Sequence, residues 1–571
     1  MISASCPTGA TGSPNIYIAP QTEKQKGKAG IVSLNKNWKI FQAKKHRLLS
    51  VMYPRLCFGL IFAAAALILL GHVGALPLWG SEDRWAMISR HMFRTGELFR
   101  PFLGDSVYWD KPLLSYWAIL PFAYISGVVN EAVIRLPSVF AALLLLAMTF
   151  DLSHRWFDKQ TAYWAMVVLA TSYGFVFWAR NAQVEMLNAF FILLSIWYFI
   201  KNKTNNNPTW IYIFGCIMAV GAGFKGLPAY GAPLFAAALL IIYKRQWPQA
   251  MNWRHIIGAL TLSLTAYIGF QLIICSVAGT WAPLELIWKE NVVRFFQPFD
   301  HKGPIWTYFV RIFDLAAPWS LLLPGALIYL LPKLRSRESD TNESVIFFIG
   351  IFIFFTLSGS RRSYYLLPIL PFFAILTGRF MADFINNRLT RIFDLYIKVF
   401  GILLSIALAA PIIILFINPE ILPYEMSAVG HGLRVTATAI ALISPVLAMG
   451  ILSKKAKVLA GAMMAVWLIY SLAAIPLFSR MPNIRSQVAH VRSLGRPIGF
   501  LPRTSDRILF YLDQPCPVFS DQDAAFDWAT RSNGVLFVRD SYKNKLPVAK
   551  WTSLEQLRKY VVVSPALPMK K

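Results

Sequence analysis

The chain has 571 residues, 56% of them hydrophobic and only 15% charged, with 56 Lys and Arg against 28 Asp and Glu. Soluble domains carry about 25% charge, and here the apolar residues collect in windows of about 20 residues, enough to cross a bilayer; an ordinary soluble enzyme or a basic nucleic-acid binder is excluded. Cys6, Cys57, Cys216, Cys275 and Cys516 are scattered without a CxxC pair, and the eight histidines lack HxxxH spacing, which excludes a disulfide framework, a thiolate metal centre and a zincin-like site.

In chain order, residues 1–50 are polar and basic and lack the apolar middle of a signal peptide. They are expected to form a disordered cytoplasmic tail. The first span is predicted near 55–76. Others follow near 133–153, 160–178, 184–200, 210–224, 227–243, 256–278, 305–331, 344–358, 363–381, 392–417, 433–452 and 457–477, about thirteen in all. Residues 113–129, with Tyr116, Trp117, Pro121 and Tyr124, read as a re-entrant or surface helix at the interface. Lys and Arg recur in every second loop, for example Arg155 and Lys159, Lys201 and Lys203, or Lys244, Arg245 and Arg254. The positive-inside rule makes those loops cytoplasmic and turns 77–132, 279–304 and 359–362 outward. An odd span count carries the C-terminus outward too. From about 485 the pattern changes. Short apolar runs at 498–501, 517–520, 534–538 and 560–564 read as strands, and 521–531 and 553–559 as helices, which makes a small α/β domain. The expected fold is mainly α, a polytopic membrane protein with amphipathic outer-loop helices. Its divisions are a 1–50 tail, a 51–480 transmembrane domain and a 485–571 outer domain.

The chemistry-bearing residues concentrate on the outward loops. Trp79-Gly80-Ser81-Glu82-Asp83-Arg84-Trp85-Ala86-Met87-Ile88-Ser89-Arg90 predicts an amphipathic helix on the bilayer, capped by Ser81, with Trp85, Ile88 and Met92 on one face. Glu82 and Asp83 at its start suit the helix dipole as well as they suit a catalytic role. Tyr108-Trp109-Asp110-Lys111-Pro112 follows at headgroup depth. Glu185 stands at the start of the fourth span, where a carboxylate beside apolar surface is a functional candidate. Glu285 and Lys289, and Glu290 and Arg294, are spaced as helical ion pairs. In Ser358-Gly359-Ser360-Arg361-Arg362-Ser363-Tyr364-Tyr365, two arginines sit on the side that the positive-inside rule disfavours, which points to binding. Carboxylates can take a proton from an acceptor hydroxyl. Cations can hold a departing phosphate. The chain has no P-loop and no Gly-rich dinucleotide motif in context, so a lipid-linked phosphate fits better than a soluble nucleotide donor.

These segments resemble the C-type, polyprenol-dependent glycosyltransferases related to protein O-mannosyltransferases, most nearly the bacterial branch containing the lipid A aminoarabinose transferases. The likeness runs from about residue 55 to 380. It rests on Ser81-Glu82-Asp83-Arg84-Trp85-Ala86-Met87-Ile88-Ser89-Arg90, Asp110-Lys111-Pro112, Glu185, Lys225-Gly226, Arg294-Phe295, Pro318-Trp319 with Leu323-Pro324-Gly325, and the run from Arg361 to Pro368. The chain departs from the aminoarabinose enzymes at Ser81, usually Asp there, at Asp110, usually Glu, and at Asn291, often His.

The resemblance implies an inverting glycosyltransferase of the bacterial inner membrane, with its site and C-terminal domain facing the periplasm. It would move a sugar from an undecaprenyl phosphate donor to lipid A or another cell-envelope glycolipid, without nucleic-acid partners. Lys111, Arg84, Arg294, Arg361 and Arg362 would hold the donor phosphate, Tyr365 would add a hydrogen bond, and Glu82, Asp83 and Glu185 would orient or deprotonate the acceptor. No cofactor is required, although a divalent metal near Asp110 is compatible with the pattern. The alternatives are the same chemistry on a protein acceptor, and a lipid or sugar transporter, which would need charges in mid-membrane and repeated halves.

Overall fold

The structure is a computed structural model that describes residues 55–294, 303–335, 341–417, 430–544, 546–547, 550–557 and 559–566. The expected tail at 1–50 lies outside the described residues. Of residues 1–59 only the start of the helix Arg55–Leu70 is described. The rest of the described chain belongs to one unit, from Leu60 onward.

This unit is a multi-pass helical bundle. Among the described residues, six helices are long and apolar enough to cross a membrane, and eight if each of two bent pairs counts as one span. Four further predicted spans correspond to Glu185–Asn202, Thr209–Lys225, Pro228–Lys244 and Asn342–Leu357, which are shorter or less apolar. The two bent pairs interlock. Lys159–Ala170 turns by 63° into Tyr173–Ala179, and Thr307–Leu315 turns by 120° into Trp319–Arg335. At the crossing, Tyr173 N donates to Ala317 O at 2.8 Å and Trp319 Nε1 donates to Thr171 Oγ1 at 2.8 Å. Gly174 permits this approach, since a Cβ there would stand 2.7 Å from Leu315 O.

The loop between the first two spans holds the helix Glu82–Thr95, the ribbon β1 (Phe102–Leu103) and β2 (Ser106–Val107), and the short helices Leu114–Trp117 and Leu120–Ser126. Trp85, Ile88 and Met92 do share one face of the first helix. That face packs on Leu113, Tyr116, Ile119 and Val133, so protein covers it rather than lipid. Ser81 makes no side-chain cap; Asp83 Oδ1 accepts from the Arg84 N–H instead, at 3.0 Å. Gly96, at φ 74°, ends the helix by donating to Met92 O.

The segment from Ile484 onward forms a four-stranded sheet of order β3 (Ile498–Leu501), β4 (Val535–Arg539), β6 (Tyr560–Pro565), β5 (Trp551–Gln556). β3 and β4 are parallel and joined through the helix Gln522–Ser532, while β4–β6 and β5–β6 are antiparallel. Both faces are covered. Along β4, Val535 and Phe537 face the helices Ile484–Ser493 and Asp506–Leu512, whereas Leu536 and Val538 face Ala525 and Ala529. This is the period of two expected of a strand. Where described, the stretch predicted as a helix at 553–559 is strand rather than helix: residues up to Gln556 pair with β6, and Leu557 and Tyr560 exchange backbone hydrogen bonds. Residues 517–520 contribute only a bridge between Val518 and Phe500.

This α/β segment is pinned to the first loop. Arg94 Nη2 and Arg90 Nη1 lie 2.8 and 3.1 Å from the Asp513 carboxylate. Tyr511 OH donates to Glu131 Oε1 at 2.9 Å and accepts from the Leu78 N–H at 2.8 Å. The charge interactions hold Asp513 below the usual carboxylate range, led by its hydrogen bond to Arg94.

Candidate active site

Glu185 begins the helix Glu185–Asn202, and Lys225 ends the helix Thr209–Lys225. The two side chains meet as an ion pair with almost no solvent contact. The turn beyond Lys225 depends on Gly226, at φ 104°, against which Asn291 packs so closely that a Cβ would stand 2.2 Å from Asn291 Oδ1. That oxygen accepts from the Leu227 N–H at 2.8 Å, and Asn291 Nδ2 donates to Ile287 O at 2.9 Å. Asn291 thereby fixes the end of the lysine-bearing helix.

The pair opens into a cavity of about 530 Å³. Arg84, Lys111, Lys225, Arg294 and Arg362 line it together with Asp110, Glu185 and Glu290, so the cations are in excess. Lys111 Nζ lies 3.1 Å from Asp110 Oδ1 and 3.6 Å from Glu290 Oε2. Glu290 also pairs with Arg294 one turn along. Arg84 Nη1 donates to Tyr108 OH at 3.0 Å and stands 3.6 Å from Asp110 Oδ2. Burial and the Asp110 charge raise the Tyr108 phenol above its ordinary range, so it remains a hydroxyl. Lys225 Nζ lies 4.2 Å from the centroid of the Tyr365 ring, and Arg362 lies 5.6 Å from that of Tyr364. Apolar wall comes from Trp85, Trp109, Leu286, Ile287, Phe354 and Phe355.

The structure thus brings Arg84, Lys111, Glu185, Arg294, Arg362 and Tyr365 to one cavity. Arg361 points elsewhere: its guanidinium donates to Gly303 O and, at 3.0 Å, to Thr356 O. Glu82 is fully buried. Both its oxygens are held by Arg135, at 2.8 and 2.7 Å, and by the N–H groups of Ala182 and Trp79, at 2.7 and 2.8 Å. Asp83 faces a second, larger cavity of about 1690 Å³ with Arg507, whose Nη2 lies 3.7 Å away. Burial raises the Asp83 carboxyl above its usual range, and the Arg507 charge opposes that rise. The partition between the two cavities is the start of the helix Glu82–Thr95: Ser81 and Arg84 face the smaller and Asp83 the larger, with Glu82 sealed behind the larger one by Arg135.

Two wall residues, Lys225 and Glu290, escaped the sequence-based candidate set. The signal for Lys225 was present: a lysine on the predicted outer end of a span breaks the positive-inside rule just as Arg361 and Arg362 do. The surroundings of Asp110 do not fit a divalent metal. Its carboxylate neighbours Lys111 and Arg84, Asn291 is engaged with backbone, and no group of three His, Cys, Asp or Glu side chains comes together among the described residues.

Residues 110–268 match the family described as dolichyl-phosphate-mannose-protein mannosyltransferase. The chain is 25% identical, over 366 residues, to an undecaprenyl phosphate-alpha-4-amino-4-deoxy-L-arabinose arabinosyl transferase of Pseudomonas fluorescens, a match covering 62% of each chain. It is 27% identical over 381 residues to the corresponding Enterobacter enzyme, covering 64% of this chain and 66% of that one. The chain thus spans a little under two thirds of these relatives. The crystal structure of ArnT from Cupriavidus metallidurans bound to undecaprenyl phosphate superimposes with a TM-score of 0.67 over 89% of this chain and 98% of that one, at 18% identity. The chain has the fold of that protein. The resemblance read from the motifs, to polyprenol-dependent glycosyltransferases of the aminoarabinose-transferase branch, is borne out.

Proposed function

We propose that the chain is an inner-membrane glycosyltransferase that moves a sugar, aminoarabinose or a related one, from an undecaprenyl phosphate donor to lipid A or another envelope glycolipid. The observation that carries this reading is the cavity where Lys111, Arg84, Arg294, Arg362 and Lys225 converge beside apolar wall. A phosphate on a lipid tail is the ligand that needs both. The relatives named as undecaprenyl phosphate-aminoarabinose transferases support the same choice. The larger cavity supports an amphipathic acceptor, because its lining passes from Asp83, Asp506 and Arg507 to Leu408, Ile440 and Val466.

In this reading thirteen spans place residues 51–480 in the membrane, with the cavity and the 485–571 domain on the periplasmic side. The positive-inside distribution of Lys and Arg supports that orientation. The acceptor oxygen attacks the anomeric carbon from the side opposite the phosphate. The carbon–oxygen bond to the phosphate breaks with its electron pair, and configuration inverts. Negative charge grows on the departing phosphate, where fixed cations lower the barrier most. Arg362 and Arg84 offer planar forks and Lys111 a point charge. Glu185, next to Lys225, orients the acceptor and takes the proton when the acceptor is a hydroxyl. A phosphate acceptor is already an anion and brings no proton that must be removed.

The test is sugar transfer from undecaprenyl phosphate donors by the purified chain in detergent, beside mass spectrometry of lipid A from a deletion strain. The expected result is donor consumption and loss of a sugar increment from an envelope glycolipid. An intact donor together with unchanged envelope lipids would overturn the proposal.

A further inference from the structure

The helix Trp253–Ala278 buries Ala259, Ser263, Tyr267, Gln271 and Cys275, one turn apart on a single face. Gln271 stands seven residues before the outer end at Ala278, about 10 Å below it at 1.5 Å per residue. It is 2% exposed and borders the smaller, cation-lined cavity. Among the described residues its Nε2 has no hydrogen-bond partner. A polar group sealed in an apolar span is costly unless it is bonded, which makes it a functional candidate.

The neighbours of Gln271 fix the amide where it is. Phe270 packs edge-on against Trp117, with ring centroids 5.8 Å apart, and Ile274 joins the core under the first-loop helices. The helix cannot turn Gln271 away from the cavity without disrupting that core. Asn291, another amide of the same lining, is already used: its Oδ1 accepts from the Leu227 N–H and its Nδ2 donates to Ile287 O. Pro228, Gly231, Leu286 and Ile287 also line the cavity and are apolar. A prenyl chain seated against them offers no hydrogen-bond acceptor. In a polyprenyl phosphate sugar the acceptor nearest the chain is the phosphate, whose charged oxygens take N–H groups well. The sugar lies beyond it.

We infer, on the reading of this cavity as the donor site, that Gln271 is a ligand of the donor phosphate, donating from Nε2 to a non-bridging oxygen. It sets how deep the phosphate sits, while the cations of the outer loops hold it from above. The bond strengthens as negative charge grows on the departing phosphate, so it serves the rate as well as binding.

The experiment is thermal unfolding of the full chain in detergent, titrated separately with undecaprenyl phosphate and undecaprenol, beside transfer kinetics. The parent should be stabilised by undecaprenyl phosphate at concentrations where undecaprenol has little effect. Gln271→Leu removes a buried amide that has no partner, so without lipid it should unfold no earlier than the parent. Its half-point for undecaprenyl phosphate should still rise about tenfold, the weight of one hydrogen bond to a charged oxygen, and kcat/KM should fall by at least as much. Gln271→Met keeps the length without the N–H; it should behave the same way and replaces the leucine variant should that one fail to fold. Tyr267→Phe, one turn deeper on the same face and outside the cavity lining, should leave the half-point unchanged. Undecaprenol as effective as undecaprenyl phosphate on the parent would overturn the donor site and this role with it. A selective parent with an unshifted half-point in Gln271→Leu and Gln271→Met would overturn the role of Gln271 alone. So would an equal loss in Tyr267→Phe, or earlier unfolding of both Gln271 variants without lipid, which would mark the amide as a structural contact.

Discussion

Arg135 grips both carboxylate oxygens of Glu82, from Nε at 2.8 Å and from Nη2 at 2.7 Å, with the two side chains 4% and 0% exposed. The remaining Arg135 protons go to the carbonyls of Val73, Leu76 and Pro77. One acidic residue therefore fastens the end of the first span, the first-loop helix and, through Ala182 N, the approach to Glu185.

That relationship sets the first expected outcome. Glu82→Ala leaves a buried guanidinium without its counter-charge, a change that costs about 3–5 kcal/mol. Thermal unfolding in detergent should move sharply downward, and folded yield should fall with activity. Glu82→Gln should be milder in both. Were Glu82 a general base, Glu82→Gln would stay folded and still lose roughly 10²–10⁴ in rate. The discriminating measurement is transfer normalised to folded protein.

Donor binding gives the second. Lys111→Ala and Arg362→Ala each remove a charge-assisted contact to the proposed phosphate, worth about 1.5–3 kcal/mol. Transfer should fall by at least about tenfold in each, since 1.4 kcal/mol is about a factor of ten. Arg361→Ala should behave differently. Its guanidinium holds the carbonyls of Thr356 and Gly303, so the change should lower stability as well as turnover. Unaltered kinetics in Lys111→Ala and Arg362→Ala would remove both from the donor site.

Distance along the chain decides how much of the fold and site was legible in the sequence. The face formed by Trp85, Ile88 and Met92 follows from helical spacing alone, and the strands at Ile498, Val535 and Tyr560 from short apolar runs between turn residues. Lys111, Arg362 and Tyr365 stood out because their motifs are local. The partner of Glu82 lies 53 residues away and that of Glu185 lies 40 away. No local pattern distinguishes a carboxylate that faces a cavity from one sealed by an arginine. β5 read as a helix because an exposed edge strand has little apolar alternation to display: beyond Trp551 its residues are largely exposed. The helix Asp506–Leu512 went unnoticed for a related reason. It is short, and its Tyr511 acquires a role only through Leu78 and Glu131.

The contact between the first loop and the α/β segment should depend on pH. The Asp513 carboxyl is held below its usual range by Arg94 and Arg90. A depressed carboxylate contributes stability above its unfolded pKa, about 3.9, and loses it as pH falls through the lower folded value. Asp83 works the other way: its raised value favours the protonated form, so its contribution is complete at low pH and declines as pH rises through the folded value. Release of the segment at acid pH should therefore follow Asp513. Limited proteolysis between residues 480 and 500 should remain slow at neutral pH and accelerate below about pH 4. Asp513→Asn should show the faster cleavage already at neutral pH. A neutral-pH rate equal to that of the parent would show that the arginines do not hold the segment.

The Glu185–Lys225 pair decides what kind of carboxylate the site uses. Both side chains are almost sealed from water, yet both border the cavity. The Lys225 ammonium engages the Glu185 carboxylate directly and holds it at the cavity wall. In the proposed mechanism Glu185 orients the acceptor and holds Lys225 toward the donor phosphate. Glu185→Gln leaves Lys225 buried without its counter-ion; Lys225→Met leaves the carboxylate in the same position. Each single change should cost several kcal/mol, because breaking a buried pair from either side is expensive. The double variant removes both charges and should recover much of the stability. Activity should not recover with it, since under the proposed mechanism the cavity then lacks both a phosphate ligand and an acceptor-orienting group. The measurement is a double-mutant cycle in both unfolding temperature and transfer rate. Recovery of stability without recovery of transfer marks the pair as part of the reaction site. Recovery of both would reduce it to a packing element of the helix ends.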